Sequence, residues 1–229
     1  MRFWTLVKKD LIESSPVIIL GLLIFIVISI LIIRDEASSY NEQFYPKYEG
    51  EMRSTTHWNS PLEGIGILIF IGGIAYAIVA GIVQFAEDDS KMKRPWGFLI
   101  HRSVRRQTIL YAKLLAGLIG FLIVFGIPWV FLYSYACNRS VFLLPPVPRI
   151  FLEGWIYIGL AYTVYLTIAQ AGVSQRKWYT TRLFPATFMI FPYFMVISQW
   201  RVIVAASITA SFIILMLIWL LDTFLKREF

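Results

Sequence analysis

The amino-acid sequence predicts an all-α membrane protein with six transmembrane helices. Of the 229 residues, 58% are hydrophobic and 15% are charged, whereas about a quarter are charged in a soluble domain. The charges also gather in short stretches. Between them lie six uncharged windows that are long enough to cross the hydrocarbon layer of a bilayer as helices. These windows are 16–33, 64–86, 114–138, 154–175, 183–200 and 202–221.

The first window carries the first predicted span, and residues 1–15 precede it. The six windows are continuously apolar, which favours helices over the alternating strands of a membrane barrel. The first window lacks a small-residue cleavage site, so we expect it to be retained rather than removed as a signal peptide. Phe3, Trp4 and Val7 are interspersed with Lys8 and Lys9. This pattern predicts an amphipathic interfacial helix over 1–15 followed by a six-helix domain over 16–229; a frayed basic N-terminus is the alternative.

The distribution of cations predicts the orientation. With six spans and the N-terminus inside, 15 of the 21 Lys and Arg residues fall in the inner segments. Cytoplasmic loops of membrane proteins carry this excess. We therefore expect both termini in the cytoplasm, residues 34–62 as an outer loop, and a plasma (inner) membrane location. The net charge of +7 is explained by the inner loops, and we expect no nucleic-acid partner.

The sequence lacks the residues that metal binding, nucleophilic catalysis and ATP hydrolysis require. The chain has one cysteine and two histidines, Cys137, His57 and His101, so we expect no metal site, no cofactor and no nucleophilic triad. A phosphate-binding loop of the GxxxxGK[ST] type is also missing from the sequence. We therefore expect that the chain is not itself an ATP-hydrolysing enzyme.

The predicted inner loop 87–113 is the most informative stretch. Acidic residues at its start are followed by seven cations, and apolar Trp96, Phe98 and Leu99 lie in the middle. A solvated loop does not need those apolar residues. A short amphipathic helix that presents an apolar and charged surface to a cytoplasmic protein accounts for both features.

This loop resembles the permease subunits of type-2 ATP-binding-cassette exporters. The resemblance rests on Glu87, on Phe98-Leu99, on the run 102–106, on Ile109-Leu110 and on the run 113–117. It is specific over about thirty residues and architectural elsewhere. Ser103 replaces the usual proline and Arg105 the usual serine of the family's pattern. The short connector 199–201 differs from the longer outer elaboration of the family.

The resemblance implies that the loop is a coupling helix that docks on a separate ATPase subunit, and that a second permease copy or a related permease completes the transporter. It implies a docking role for Glu87, Trp96, Phe98, Leu99, Arg102, Arg105 and Arg106. For each arginine, contact with lipid headgroups is the alternative.

Two patterns inside the spans are candidates for further roles. Gly73, Ala77 and Gly81 repeat at intervals of four and predict close helix packing, either within the chain or at a dimer seam. Thr163, Thr167, Gln170 and Ser174 form a polar stripe on one face of the fourth span. This stripe could line a translocation path or form hydrogen bonds between helices.

The leading hypothesis for function is a transporter permease subunit driven by a separate ATPase. The alternatives are a membrane anchoring or assembly protein that uses the same inner loop, and an ion-coupled secondary carrier. The carrier is disfavoured because the six windows contain no charged residue.

Overall fold

A computed structural model describes residues 2–44, 62–85, 106–138, 146–173 and 201–226, and these form five long helices. All five are long and apolar enough to cross a membrane, and these ranges contain no strand. The described part of the chain is therefore all-α, as predicted, and its five apolar helices indicate a multi-pass membrane protein. The window 183–200 lies outside the described residues. The helices are α1 (Arg2–Phe44), α2 (Glu63–Phe85), α3 (Arg106–Phe121, Leu122–Gly126 and Ile127–Ala136), α4 (Pro148–Val173) and α5 (Val202–Leu225).

Helix α1 is continuous, whereas the sequence predicted an interfacial helix over 1–15 and a separate span. Pro16 has no N–H, so the carbonyl of Ile12 loses its backbone donor. The hydroxyl of Ser15 donates to that carbonyl at 2.7 Å. The side chain replaces the missing bond, and the helix continues through the proline. At its other end the helix extends to Phe44, well into the predicted outer loop 34–62.

The first turns of α1 pack against α3. Val7 is 2% exposed and lies in one apolar cluster with Ala112 and Ala116. The contact is possible because α3 begins at Arg106, eight residues before the predicted span. Residues 106–113, predicted as part of the inner loop, are therefore helical.

The largest interfaces join the five helices in the order α5, α4, α2, α1, α3, and α3 also contacts α2, α4 and α5. Helices α1 and α3 run in the same direction, because Val7 packs near Ala112 while Phe25 lies 5.1 Å from Phe125 between ring centroids. Helix α2 runs the opposite way, since Gln84 near its end bonds Ser14 near the start of α1. We call the end of the bundle where α1 begins the N-terminal end.

Helices α4 and α5 are neighbours that run in the same direction. A Cβ on Gly159 would lie 3.0 Å from Thr209, and Gln170 farther along α4 bonds Thr223 farther along α5. Both helices end at the N-terminal end of the bundle, because Gly172 packs against Phe85 at the end of α2. Val173 and Arg201 consequently lie at opposite ends of the helix pair.

The small-residue repeat of α2 lies against α4 of the same chain. Ala77 is fully buried. A Cβ on Gly73 would come within 2.7 Å of the Cβ of Ala161, and one on Gly81 within 2.7 Å of the Cγ2 of Ile168. Both distances are shorter than real Cβ contacts allow. The sequence left open a dimer seam or packing within the chain, and the structure places these residues in an intrachain interface.

Aromatic side chains fill the centre of the bundle. Phe121 is fully buried, and its ring lies edge-on to Tyr76 at 5.0 Å and to Tyr162 at 5.7 Å. One residue farther along α3 the helix widens into a π-helical turn, Leu122–Gly126, which precedes Pro128. Proline cannot donate a backbone bond, and the widened turn accommodates it without ending the helix.

We expect Gly81→Ala to destabilise the protein, because the added methyl would overlap Ile168 in an interface that has no spare room. Overpacking of this kind costs about 1–3 kcal/mol. Gly72→Ala is the matched control, since its Cβ would lie 3.7 Å from Phe125, an ordinary contact. Thermal unfolding of both variants in detergent checks the prediction. Equal unfolding temperatures for the two variants would contradict it.

Candidate functional site

A cluster of polar side chains joins four helices at the N-terminal end of the bundle. Its centre is the end of α2, where the last carbonyls of the helix have no partner within the helix. Lys113 of α3 donates from Nζ to the carbonyl oxygen of Gln84 at 3.0 Å. The last turn of α2 contains no basic residue of its own. Lys113 therefore supplies both the hydrogen bond and the positive charge that a helix C-terminus favours.

Lys113 is also paired with an acid. Its Nζ lies 3.6 Å from Oδ1 of Asp10 on α1, and each of the two side chains is 11% exposed. The same ammonium lies 5.8 Å from the centre of the Phe85 ring, within the range of a cation–π contact. Removing one partner of such a pair leaves a poorly solvated charge.

The side chain of Gln84 completes the cluster. Its Nε2 donates to Oγ of Ser14 on α1 at 3.0 Å, and its Oε1 accepts from the hydroxyl of Tyr165 on α4. The Tyr165 hydroxyl also lies 3.2 Å from the carbonyl oxygen of Lys113, so its one proton is shared between two acceptors. Tyr165 is fully buried, and Gly117 leaves the space that its ring occupies. Gln84 is thus held by α1, α3 and α4 together.

The position of the cluster indicates what it can do. Asp10 precedes the apolar window that begins at Pro16 by six residues, which is about 9 Å of helix. The ion pair therefore belongs near the membrane–water interface, not at the midplane where the sites of ion-coupled carriers lie. The cluster also flanks residues 86–105 directly, because α2 ends at Phe85 and α3 begins at Arg106.

The sequence contained one signal for this cluster. Gln84 is the only amide in the apolar window 64–86, and a lone amide in a span usually bonds a neighbouring helix. Lys113 stands out in the sequence only as an inner-loop cation and as part of the run 113–117. Asp10 and Tyr165 carried no signal, because their partners are distant in sequence.

No protein-family model, curated protein or solved structure matches the chain. Among the residues with described positions, no three His, Cys, Asp or Glu side chains lie together as a metal site.

The polar stripe of α4 lies inside the bundle. Thr163 and Thr167 are buried, and their hydroxyls donate to carbonyls of their own helix, those of Leu160 and Val164. Gln170 is 4% exposed and donates from Nε2 to the hydroxyl of Thr223 at 2.8 Å. Its Oε1 has no hydrogen-bond partner within the described part of the chain. Ser174 lies outside the described residues.

A groove of about 610 Å³ opens between α4 and α5, and Thr209 is one of its lining residues. Its walls are almost entirely apolar and include Trp155, Gly159 and Val202. The stripe residues Thr163, Thr167 and Gln170 are not among those that line it. Their role in a translocation path stays a prediction.

The predicted docking residues are mostly beyond reach of this structure. Glu87, Trp96, Phe98, Leu99, Arg102 and Arg105 lie outside the described residues, and Arg106 is the first residue of α3. The structure does describe the two helices that flank the segment carrying these residues, α2 before it and α3 after it.

We expect Lys113→Met to destabilise the protein strongly, because Asp10 and the carbonyl of Gln84 would lose their shared partner. Breaking a buried pair in this way costs about 3–5 kcal/mol. Lys226→Met is the matched control, since Lys226 pairs with Asp222 at an exposed site, where ion pairs contribute about 0–1 kcal/mol. The free energies of unfolding of the two variants check this, and a similar loss in both would refute it.

Proposed function

We propose that the chain is the transmembrane permease subunit of an ATP-binding-cassette exporter. A separate ATPase subunit docks on residues 87–106, and a second permease copy or a related permease completes the transporter. The observation that carries the proposal is the sequence pattern of this segment, together with the polar cluster that joins the two helices on either side of it. The pattern resembles a coupling helix, and both flanking helices are held by one polar cluster. A segment that transmits the movement of an ATPase subunit has to be joined to helices that are held firmly, and α2 and α3 are held by the polar cluster.

The proposal includes a sixth span over 183–200. Its support is the direction of α4 and α5, which run in parallel as neighbours. The chain leaves α4 at the N-terminal end of the bundle and enters α5 at the opposite end. The 27 residues between Val173 and Arg201 must bridge these ends, and the uncharged window 183–200 has the length for one crossing.

The proposed orientation places the N-terminal end of the bundle in the cytoplasm, with both termini there. The cations of the inner segments support it, since Lys8, Lys9, Lys113 and Lys226 all belong to this end. Arg34, Arg149 and Arg201 belong to the opposite end. Segment 86–105 then faces the cytoplasm, where ATP and an ATPase subunit are available.

A membrane assembly protein is the second candidate, and the α4 stripe favours it. Thr163 and Thr167 bond their own helix, and the amide of Gln170 bonds α5. These polar groups therefore stabilise the helix bundle instead of facing a path for a substrate. An assembly protein, which moves no substrate, needs only that stabilising role. ATP hydrolysis by the purified complex separates the two candidates.

The orientation predicts that Cys137 is labelled from outside the cell. This single cysteine is exposed at the opposite end of the bundle, so a membrane-impermeant maleimide should react with it in intact cells. The reciprocal variant Cys137→Ser/Lys226→Cys carries its thiol at an exposed position at the N-terminal end. It should react only after permeabilisation. The reverse pattern would overturn the orientation.

The docking assignment predicts that Phe98→Asp/Arg105→Glu releases the ATPase subunit. Loss of a central anchor and reversal of a charge weaken an interface more than about tenfold. Tagged chain is purified from its native membrane in mild detergent, and co-purifying proteins and ATP hydrolysis are measured. Tyr48→Asp/Arg53→Glu makes the same chemical changes in the outer segment and should leave both unchanged. Undiminished ATPase recovery with Phe98→Asp/Arg105→Glu would refute the docking assignment.

A further inference from the structure

The helices on either side of segment 86–105 are joined by hydrogen bonds among Gln84, Lys113 and Tyr165. Gln84 is the penultimate residue of α2, and Lys113 lies two turns into α3. Lys113 bonds the backbone of Gln84, and Tyr165 bonds both the side chain of Gln84 and the backbone of Lys113. The ends of α2 and α3 are thus tied directly to each other and to α4.

We propose that Gln84, Lys113 and Tyr165 are positioning residues that hold the two ends of segment 86–105 in place for its cytoplasmic partner. That the partner is an ATPase subunit rests on the proposed function. The positioning role itself rests on the cluster alone.

The physical reason is that α2 and α3 each pack more against another helix than against each other. Helix α2 makes its largest interface with α4, and α3 makes its largest with α1. The exit from α2 and the entry to α3 therefore depend on cross-links between these pairs. Tyr165 provides one from α4 to both helices, and Ser14 provides another from α1 to Gln84.

A fixed pair of ends reduces the conformational freedom of the segment between them. The entropy that a partner must remove on docking is then smaller, and binding is tighter. Loss of the cluster should loosen the segment without removing any residue that touches the partner.

Tyr165→Phe and Tyr162→Phe form a matched pair for the test. Both tyrosines are buried on α4, and each hydroxyl reaches a backbone carbonyl of α3. Tyr162 bonds only Leu114 among the contacts described, at 3.3 Å, whereas Tyr165 also bonds Gln84 on α2. The two variants therefore lose the same chemical group and differ in the link to α2.

The experiment is limited trypsin digestion of the purified chain in lipid nanodiscs, where both faces are accessible. Cleavage after Lys91, Lys93, Arg102 and Arg105 reports on segment 86–105, and cleavage after Lys47 and Arg53 reports on the outer segment. We expect Tyr165→Phe to raise the inner cleavage rate about tenfold, the effect of losing one buried hydrogen bond on a local opening equilibrium. The outer rate should not change. Tyr162→Phe should leave both rates near those of the wild type.

Gln84→Met serves as a second variant, because it removes the side-chain bonds and keeps the backbone carbonyl that Lys113 caps. It should reproduce the effect of Tyr165→Phe. Unchanged inner cleavage in both Tyr165→Phe and Gln84→Met would overturn the positioning role, as would an equal rise at inner and outer sites. Absence of an ATPase from the wild-type pull-down would overturn the proposed function instead, since the digestion needs no partner.

Discussion

A backbone carbonyl at the end of a helix needs a donor, and near a membrane the protein has to supply one where water is scarce. At the end of α2 that donor is the ammonium of Lys113. The charge brought in by the lysine needs its own partner, which is Asp10 on α1. Each requirement adds another helix, so that α1, α2, α3 and α4 meet at one point. At this point the starts of α1 and α3 lie beside the ends of α2 and α4.

The sequence predicted the apolar helices that the structure describes, because about twenty continuous apolar residues have few other uses. It predicted six such helices, and five lie within the described residues. The ends of the helices were harder to predict. The charged residues before position 16 indicated a boundary there, yet α1 continues through Pro16, where the bond from Ser15 to Ile12 replaces the missing backbone bond. Charged residues at 106–113 indicated a loop, yet packing of Ala112 against Val7 keeps them helical.

The polar cluster was hidden for a different reason. Its bonds join residues that are 29, 70 and 81 positions apart, and a single sequence carries no record of such pairings. The lone amide at Gln84 indicated that a partner existed but not which helix supplied it. The small-residue repeat of α2 was visible, but its partner surface on α4 was not, since Ala161 and Ile168 look like ordinary span residues. The ion pair between Asp10 and Lys113 lies just outside the apolar windows, where the sequence carries no signal for it.

The parallel arrangement of α4 and α5 also constrains how the protein is made. Two neighbouring helices with the same direction cannot enter the membrane together as a hairpin. The amide of Gln170 bonds Thr223, which is 53 residues later in the chain. Until Thr223 has been synthesised, that amide lacks this partner in an apolar environment. A chain that stops before Thr223 would therefore lack the bond from Nε2 of Gln170 that links α4 to α5.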